Sequence, residues 1–112
     1  MTEVTESYQV GGQVQNVMFR QTIIRACQAR GLTGGATNVK ADKHQVLITL
    51  SGPAEKVKEI VDFLKSGKHM NDWGAHATSV SLLENTIPLT SHQVTTDNVD
   101  KRKWNPNVKF YL

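Results

Sequence analysis

Polar and apolar positions along this chain follow two periods, two residues in some stretches and three to four in others, and the stretches take turns. Residues 7–11 place Tyr8 and Val10 on one face of a strand, and Phe19, Ile23, Ala26 and Cys27 then recur at helical spacing until Gly31 stops the run. Residues 34–39 read as a second strand, thin in side chains. Residues 45–51 form a third, with Val46, Ile48 and Leu50 alternating against Leu47 and Thr49. Between these two, Lys40-Ala41-Asp42-Lys43-His44 is a polar connection, so the pair predicts a hairpin. Gly52-Pro53-Ala54-Glu55 opens a second helix, carried by Val57, Ile60, Val61 and Leu64 at i, i+3, i+4 and i+7. Thr78, Val80 and Leu82 alternate as a fourth strand. Residues 108–112 are expected to pair as a short fifth, after a loop-like stretch with Pro88, Pro106 and the run Lys101-Arg102-Lys103.

Strand, helix, strand, strand, helix, strand is the split βαβ order. It predicts an α+β fold, a ferredoxin-like sandwich with two helices on one face of a four- to five-stranded antiparallel-type sheet. In that plan the first and second strands are parallel, end at the same edge and flank the third. Their backbones therefore lie about 10 Å apart, at neighbour spacings of roughly 4.8 Å. Residues far apart in sequence converge there: the loop that follows the first strand, and Asn38 near the end of the second.

Composition narrows the function classes. The 112 residues suffice for one small two-layer domain and leave no room for a separate cofactor domain. Thirteen Lys and Arg against ten Asp and Glu give +3, short of the basic stripe of a dedicated nucleic-acid binder. No apolar run approaches the roughly 20 residues of a membrane helix. Cys27 has no partner for an intrachain disulfide, and no Lys/Arg-started apolar leader opens the sequence, so a reducing, cytoplasmic setting is expected. Cys27 lies on the apolar stripe of the first helix and lacks a Cys-x₅-Arg loop, which makes it a core thiol and not a nucleophile. His44, His69, His76 and His92 are scattered without ligand spacing, so no metal site is expected. Trp73 and Trp104 are expected to anchor the connections.

The chemistry concentrates in residues 12–20, Gly-Gln-Val-Gln-Asn-Val-Met-Phe-Arg. A glycine-containing turn leaves a strand and ends on an arginine that opens a helix. Amides at such a turn and at a helix N-terminus lack intrahelical acceptors, the helix dipole adds partial positive charge, and Arg20 offers a fork of donors matched to phosphate oxygens. The stretch is an anion cradle in design.

It also resembles the signature of the acylphosphatase family, roughly Gly-x-Val-Gln-Gly-Val-x-Phe-Arg, matching at Gly12, Val14, Gln15, Val17, Phe19 and Arg20. Asn16 stands where the family carries glycine. A second motif, Gly31-Leu32-x-Gly34-x-x-x-Asn38, is similar too, and a looser likeness runs through Leu64 and Gly67 to about Leu83. The resemblance implies one domain over residues 1–112 that hydrolyses the carboxyl–phosphate bond of acyl phosphates as a monomer, without metal or cofactor, nucleic acid or membrane. Inorganic phosphate would be its product and inhibitor. It implies that Arg20 and the loop residues Gln15, Asn16, Val17, Met18 and Phe19 hold the phosphate, and that Asn38 orients the attacking water.

Two other readings of the same residues stand beside it. A non-catalytic module would bind a small anion through the same cradle without turnover. An RNA-binding domain of this topology would need aromatics on its central strands, where residues 45–51 supply none.

Overall fold

The computed structural model describes residues 2–101 and 107–112. Its elements run β1 (Glu3–Gln13), α1 (Phe19–Ala29), β2 (Thr33–Asn38), β3 (Gln45–Pro53), α2 (Ala54–Lys65), β4 (His76–Leu82) and β5 (Val94–Thr95). The sheet order is β4-β1-β3-β2-β5, with every neighbouring pair antiparallel. β3 thus separates the parallel strands β1 and β2, as the split βαβ order predicts.

Register sorts the two faces. Tyr8 pairs with Ile48 and Val10 with Val46, and these side chains are buried in one cluster with Phe19, Ile23 and Cys27 of α1 and Val57, Ile60 and Leu64 of α2. The helical and strand periods of the sequence therefore meet in a single core. Truncating one of its large members to alanine costs about 2–5 kcal/mol in comparable cores.

The opposite face is polar along β1 and β3. Thr5 Oγ1 meets Ser51 Oγ at 2.7 Å, and Ser7 Oγ meets Thr49 Oγ1 at 2.6 Å. A chain segment lies across it: the Ile87 amide donates to Ser7 Oγ (2.8 Å), and Thr49 Oγ1 donates to the Ile87 carbonyl (2.9 Å). His92 follows, buried, its Nε2 2.7 Å from Thr49 Oγ1 and its Nδ1 2.9 Å from Thr37 Oγ1. Gly35 makes room for this imidazole, since a Cβ there would sit 2.7 Å from the ring.

The fifth strand is not where the sequence placed it. Val94–Thr95 pairs with the edge of β2, whereas residues 108–112 make one isolated bridge, Asn71 with Phe110. The reason lies in the crossing segment, which reaches the open β2 edge first and buries Val94 and Val99 in the core. Residues 108–112 are tied instead to the turn after α2, through Asp72 N–H to Lys109 O and Tyr111 N–H to Met70 O. Of the basic run, Lys101 is exposed at the end of a 3₁₀ turn, while Arg102, Lys103 and Trp104 lie outside the described residues. Trp73 is 40% exposed, too open for a packing anchor.

Candidate functional site

The loop from β1 to α1 is built against ordinary backbone preference. Asn16 and Met18 both have positive φ, 64° and 59°. Asparagine tolerates this region better than other residues with a Cβ, which explains how it occupies the glycine position of the motif; methionine there has no such excuse and is held by its neighbours. The Met18 carbonyl accepts from the Thr22 amide (3.0 Å) and from Thr22 Oγ1 (2.8 Å). The Val17 carbonyl accepts from Asn71 Nδ2 at 2.9 Å.

With these carbonyls engaged on the protein side, the loop amides are left over. Among the described residues, no acceptor meets the N–H groups of Asn16, Val17, Met18 or Phe19. α1 itself begins with no side-chain cap and no acid in its first turn, and places Arg20 there, so dipole and guanidinium add positive charge at the same spot. An arginine so placed opposes the helix dipole by roughly 0.3–1 kcal/mol, a cost that an anion bound there reverses.

A cavity of about 250 Å³ opens at this point, lined by Val14, Asn16, Met18, Phe19, Arg20 and Asn38. Of the residues singled out from sequence, it gathers Asn16, Met18, Phe19, Arg20 and Asn38. Gln15 and Val17 lie on the loop's other side, facing a second cavity with Lys43 and His44. Gln15 braces the loop: its Nε2 lies 3.2, 3.1 and 2.8 Å from the carbonyls of Val39, Asp42 and Gln45, fastening the β1–α1 loop to the β2–β3 turn.

Asn38 reaches the cavity because β2 ends there. Its Oδ1 is buried and, among the described residues, has no hydrogen-bond partner. A buried amide oxygen without a donor costs about 1–3 kcal/mol, and a bound molecule with an O–H or N–H can supply one. Among the described residues, the cavity lining contains no carboxylate, imidazole or thiol; its donors are amides and a guanidinium, which suit an anion. Cys27 lies apart in the core, where burial pushes its thiol up to about 12, and Gly34 packs on it, since a Cβ there would come 2.6 Å from Sγ.

Two residues at the site were not visible in the sequence. Asn71, fully buried, donates to Val17 O and to Thr22 Oγ1 (2.8 Å), and its Oδ1 accepts from the amides of Trp73 (3.0 Å) and Ala75 (3.2 Å). Gln93, beside β5, places its Oε1 2.9 Å from Arg20 Nη1 and 3.0 Å from the Asn38 amide. Neither belongs to a local spacing pattern; each is brought in by the chain's return to the sheet.

Comparison with known proteins bears on this arrangement. A family model described as Acylphosphatase matches residues 6–92. A protein named Acylphosphatase from Caldivirga maquilingensis is 43% identical over 58 residues, 52% of this chain and 60% of that protein's length. The crystal structure of acylphosphatase from Bacillus subtilis superposes with a TM-score of 0.58 at 26% identity, covering 76% of this chain and 92% of the other. The structure of an acylphosphatase from Coxiella burnetii gives a TM-score of 0.61 at 21% identity, covering 81% and 87%, and shares the fold.

Proposed function

The chain belongs to the acylphosphatase family, and we propose that it is a hydrolase of acid anhydrides that cleaves the carboxyl–phosphate bond of acyl phosphates. The observation that carries this reading is the convergence of Arg20, the loop residues Asn16, Met18 and Phe19 with their acceptor-free amides, and the unpartnered Asn38 Oδ1 on one cavity.

The division of labour follows from the donors present. Loop amides and the Arg20 guanidinium hold the phosphoryl oxygens, where charge concentrates during transfer; charge-assisted hydrogen bonds are worth about 1.5–3 kcal/mol each. Asn38 Oδ1 accepts a hydrogen bond from a water and sets it in line with the phosphorus. Attack forms the new P–O bond and breaks the bond from phosphorus to the bridging oxygen, which leaves with its electron pair as a carboxylate. A neutral amide cannot take the water's proton, so a phosphoryl oxygen receives it. A carboxylate needs no protonation to depart, which suits a cavity without an acid.

The same reading takes residues 1–112 as one domain, acting in the cytoplasm as a monomer on a small-molecule acyl phosphate, with inorganic phosphate as product and competitor and with no metal or cofactor required. No helix among the described residues is long and apolar enough to cross a membrane. An RNA-binding role finds little support, since Tyr8, the aromatic residue of the β-strands, is buried beneath the helices and the opposite face is crossed by the segment around Ile87 and His92. The test is release of phosphate from benzoyl phosphate by the purified protein in EDTA. Turnover above the spontaneous rate, inhibited competitively by phosphate, is expected; phosphate binding without turnover would make the chain an anion-binding module.

A further inference from the structure

We propose that Gln93 is a positioning residue of the phosphate site, one carbonyl oxygen that sets both Arg20 and Asn38. Its Oε1 accepts from Arg20 Nη1 at 2.9 Å and from the Asn38 backbone amide at 3.0 Å, so the group on α1 and the group at the end of β2 are held by a single atom. The inference rests on reading the cavity as a phosphate site. It goes beyond the family match, which ends one residue earlier, at residue 92.

An acceptor can position other groups only if it is itself fixed. The Gln93 amide donates to Thr37 Oγ1 at 2.9 Å, and its carbonyl accepts from Asn98 Nδ2 at 3.3 Å. It stands between two buried neighbours, His92 and Val94.

Behind it the hydrogen bonds run in one sense. The Ile87 amide donates to Ser7 Oγ, which leaves the Ser7 hydroxyl proton for Thr49 Oγ1; Thr49 donates onward to the Ile87 carbonyl. Thr49 Oγ1 therefore accepts from His92 Nε2–H, His92 Nδ1 accepts from the Thr37 hydroxyl, and Thr37 Oγ1 accepts from the Gln93 amide. Each donor is spent on one acceptor, so the backbone of Gln93 has one supported position. Its side chain then presents an uncharged oxygen to Arg20. A neutral partner orients the guanidinium without neutralising it, whereas a carboxylate in its place would compete with phosphate.

Substitution at an exposed side chain of this kind spares the core, and inorganic phosphate is a probe that needs no turnover. Calorimetric titration with phosphate is therefore made on wild type, Gln93→Ala and Gln93→Glu at about pH 7.5, where an introduced glutamate is ionised. Gln93→Ala is expected to weaken phosphate binding about three- to tenfold, the size of one ordinary net hydrogen bond, since its loss reaches phosphate only through Arg20 and Asn38. Gln93→Glu is expected to weaken it further than Gln93→Ala does, because a carboxylate beside Arg20 stays ionised and competes with phosphate for the guanidinium. A role confined to the Gln93 backbone would leave both variants binding as wild type does. That result, or an equal loss in both, would overturn the inference. Wild type that binds no phosphate would overturn the inference and the functional reading together. Wild type that binds phosphate without hydrolysing benzoyl phosphate would overturn the functional reading alone, and the two variants would still decide the role of Gln93.

Discussion

Asn71 Nδ2 donates to the Val17 carbonyl oxygen at 2.9 Å, and through that bond it aims the next amide of the cradle. The peptide between Val17 and Met18 is trans, as are all the others described, so its carbonyl and its N–H point in opposite directions. Fixing the carbonyl on Asn71 turns the Met18 N–H away from the protein interior, and Met18 is among the residues lining the cavity. Asn71→Asp keeps the oxygen that accepts from the Trp73 and Ala75 amides but removes the donor. It is expected to cost about 1–3 kcal/mol of stability and to lower kcat/KM at least about tenfold, measured by thermal unfolding and benzoyl phosphate kinetics. An Asn71→Asp protein with wild-type kcat/KM would contradict this role.

Asn16 already occupies the backbone conformation that glycine would take, with φ of 64°. Asn16→Gly removes the small steric cost of the left-handed region and adds conformational entropy to the unfolded chain, two effects of about 1 kcal/mol or less with opposite signs. kcat/KM should stay within about threefold of wild type. A tenfold fall would show that the asparagine side chain itself takes part. Asn16→Val, β-branched at positive φ, should in contrast lose stability and activity together.

Asn38→Ala should separate stability from turnover. The substitution deletes a buried oxygen that has no partner, so the thermal midpoint should hold or rise slightly, while kcat falls and competitive inhibition by phosphate persists. Normal kcat in this variant would remove Asn38 from water orientation.

The crossing segment gives the fold a dependence on pH. Burial holds His92 below its usual range, and the hydrogen bonds around it keep it neutral. Below about pH 6.5 the unfolded chain takes up a proton that native His92 does not, so stability present above that pH is lost as pH falls toward the native value, by at most about 1.4 kcal/mol per pH unit. Thermal unfolding between about pH 7.5 and pH 5 should show this decline, and His92→Gln should flatten it. An unchanged slope in the variant would assign the dependence to other groups.

Sequence periodicity was enough for the sandwich because the two helices and β3 carry dense apolar repeats that have one way to share a core. The cradle was legible as well, since it is made of consecutive residues whose chemistry depends on a turn and a helix start. Residues 108–112 misled because their apolar content says only that they can pair, and the β2 edge is taken by Val94–Thr95 of the crossing segment. Gln15 looked like a cradle residue by position, yet its amide is long enough to reach back to the β2–β3 turn. Asn71 and Gln93 were invisible for a different reason. Each works through contacts more than 50 residues away in sequence, with Val17 and Asn38 respectively, and no local spacing encodes such a contact.

Hydrolysis of benzoyl phosphate by wild type beside Arg20→Gln, in EDTA and with inorganic phosphate as competitor, tests the central claim most directly. In this account Arg20 contacts the phosphoryl group in ground and transition states alike, so the variant should lose phosphate inhibition and turnover together, with kcat/KM down at least about tenfold, as for loss of a charged contact. Arg20→Gln that hydrolyses benzoyl phosphate at the wild-type rate would contradict the account.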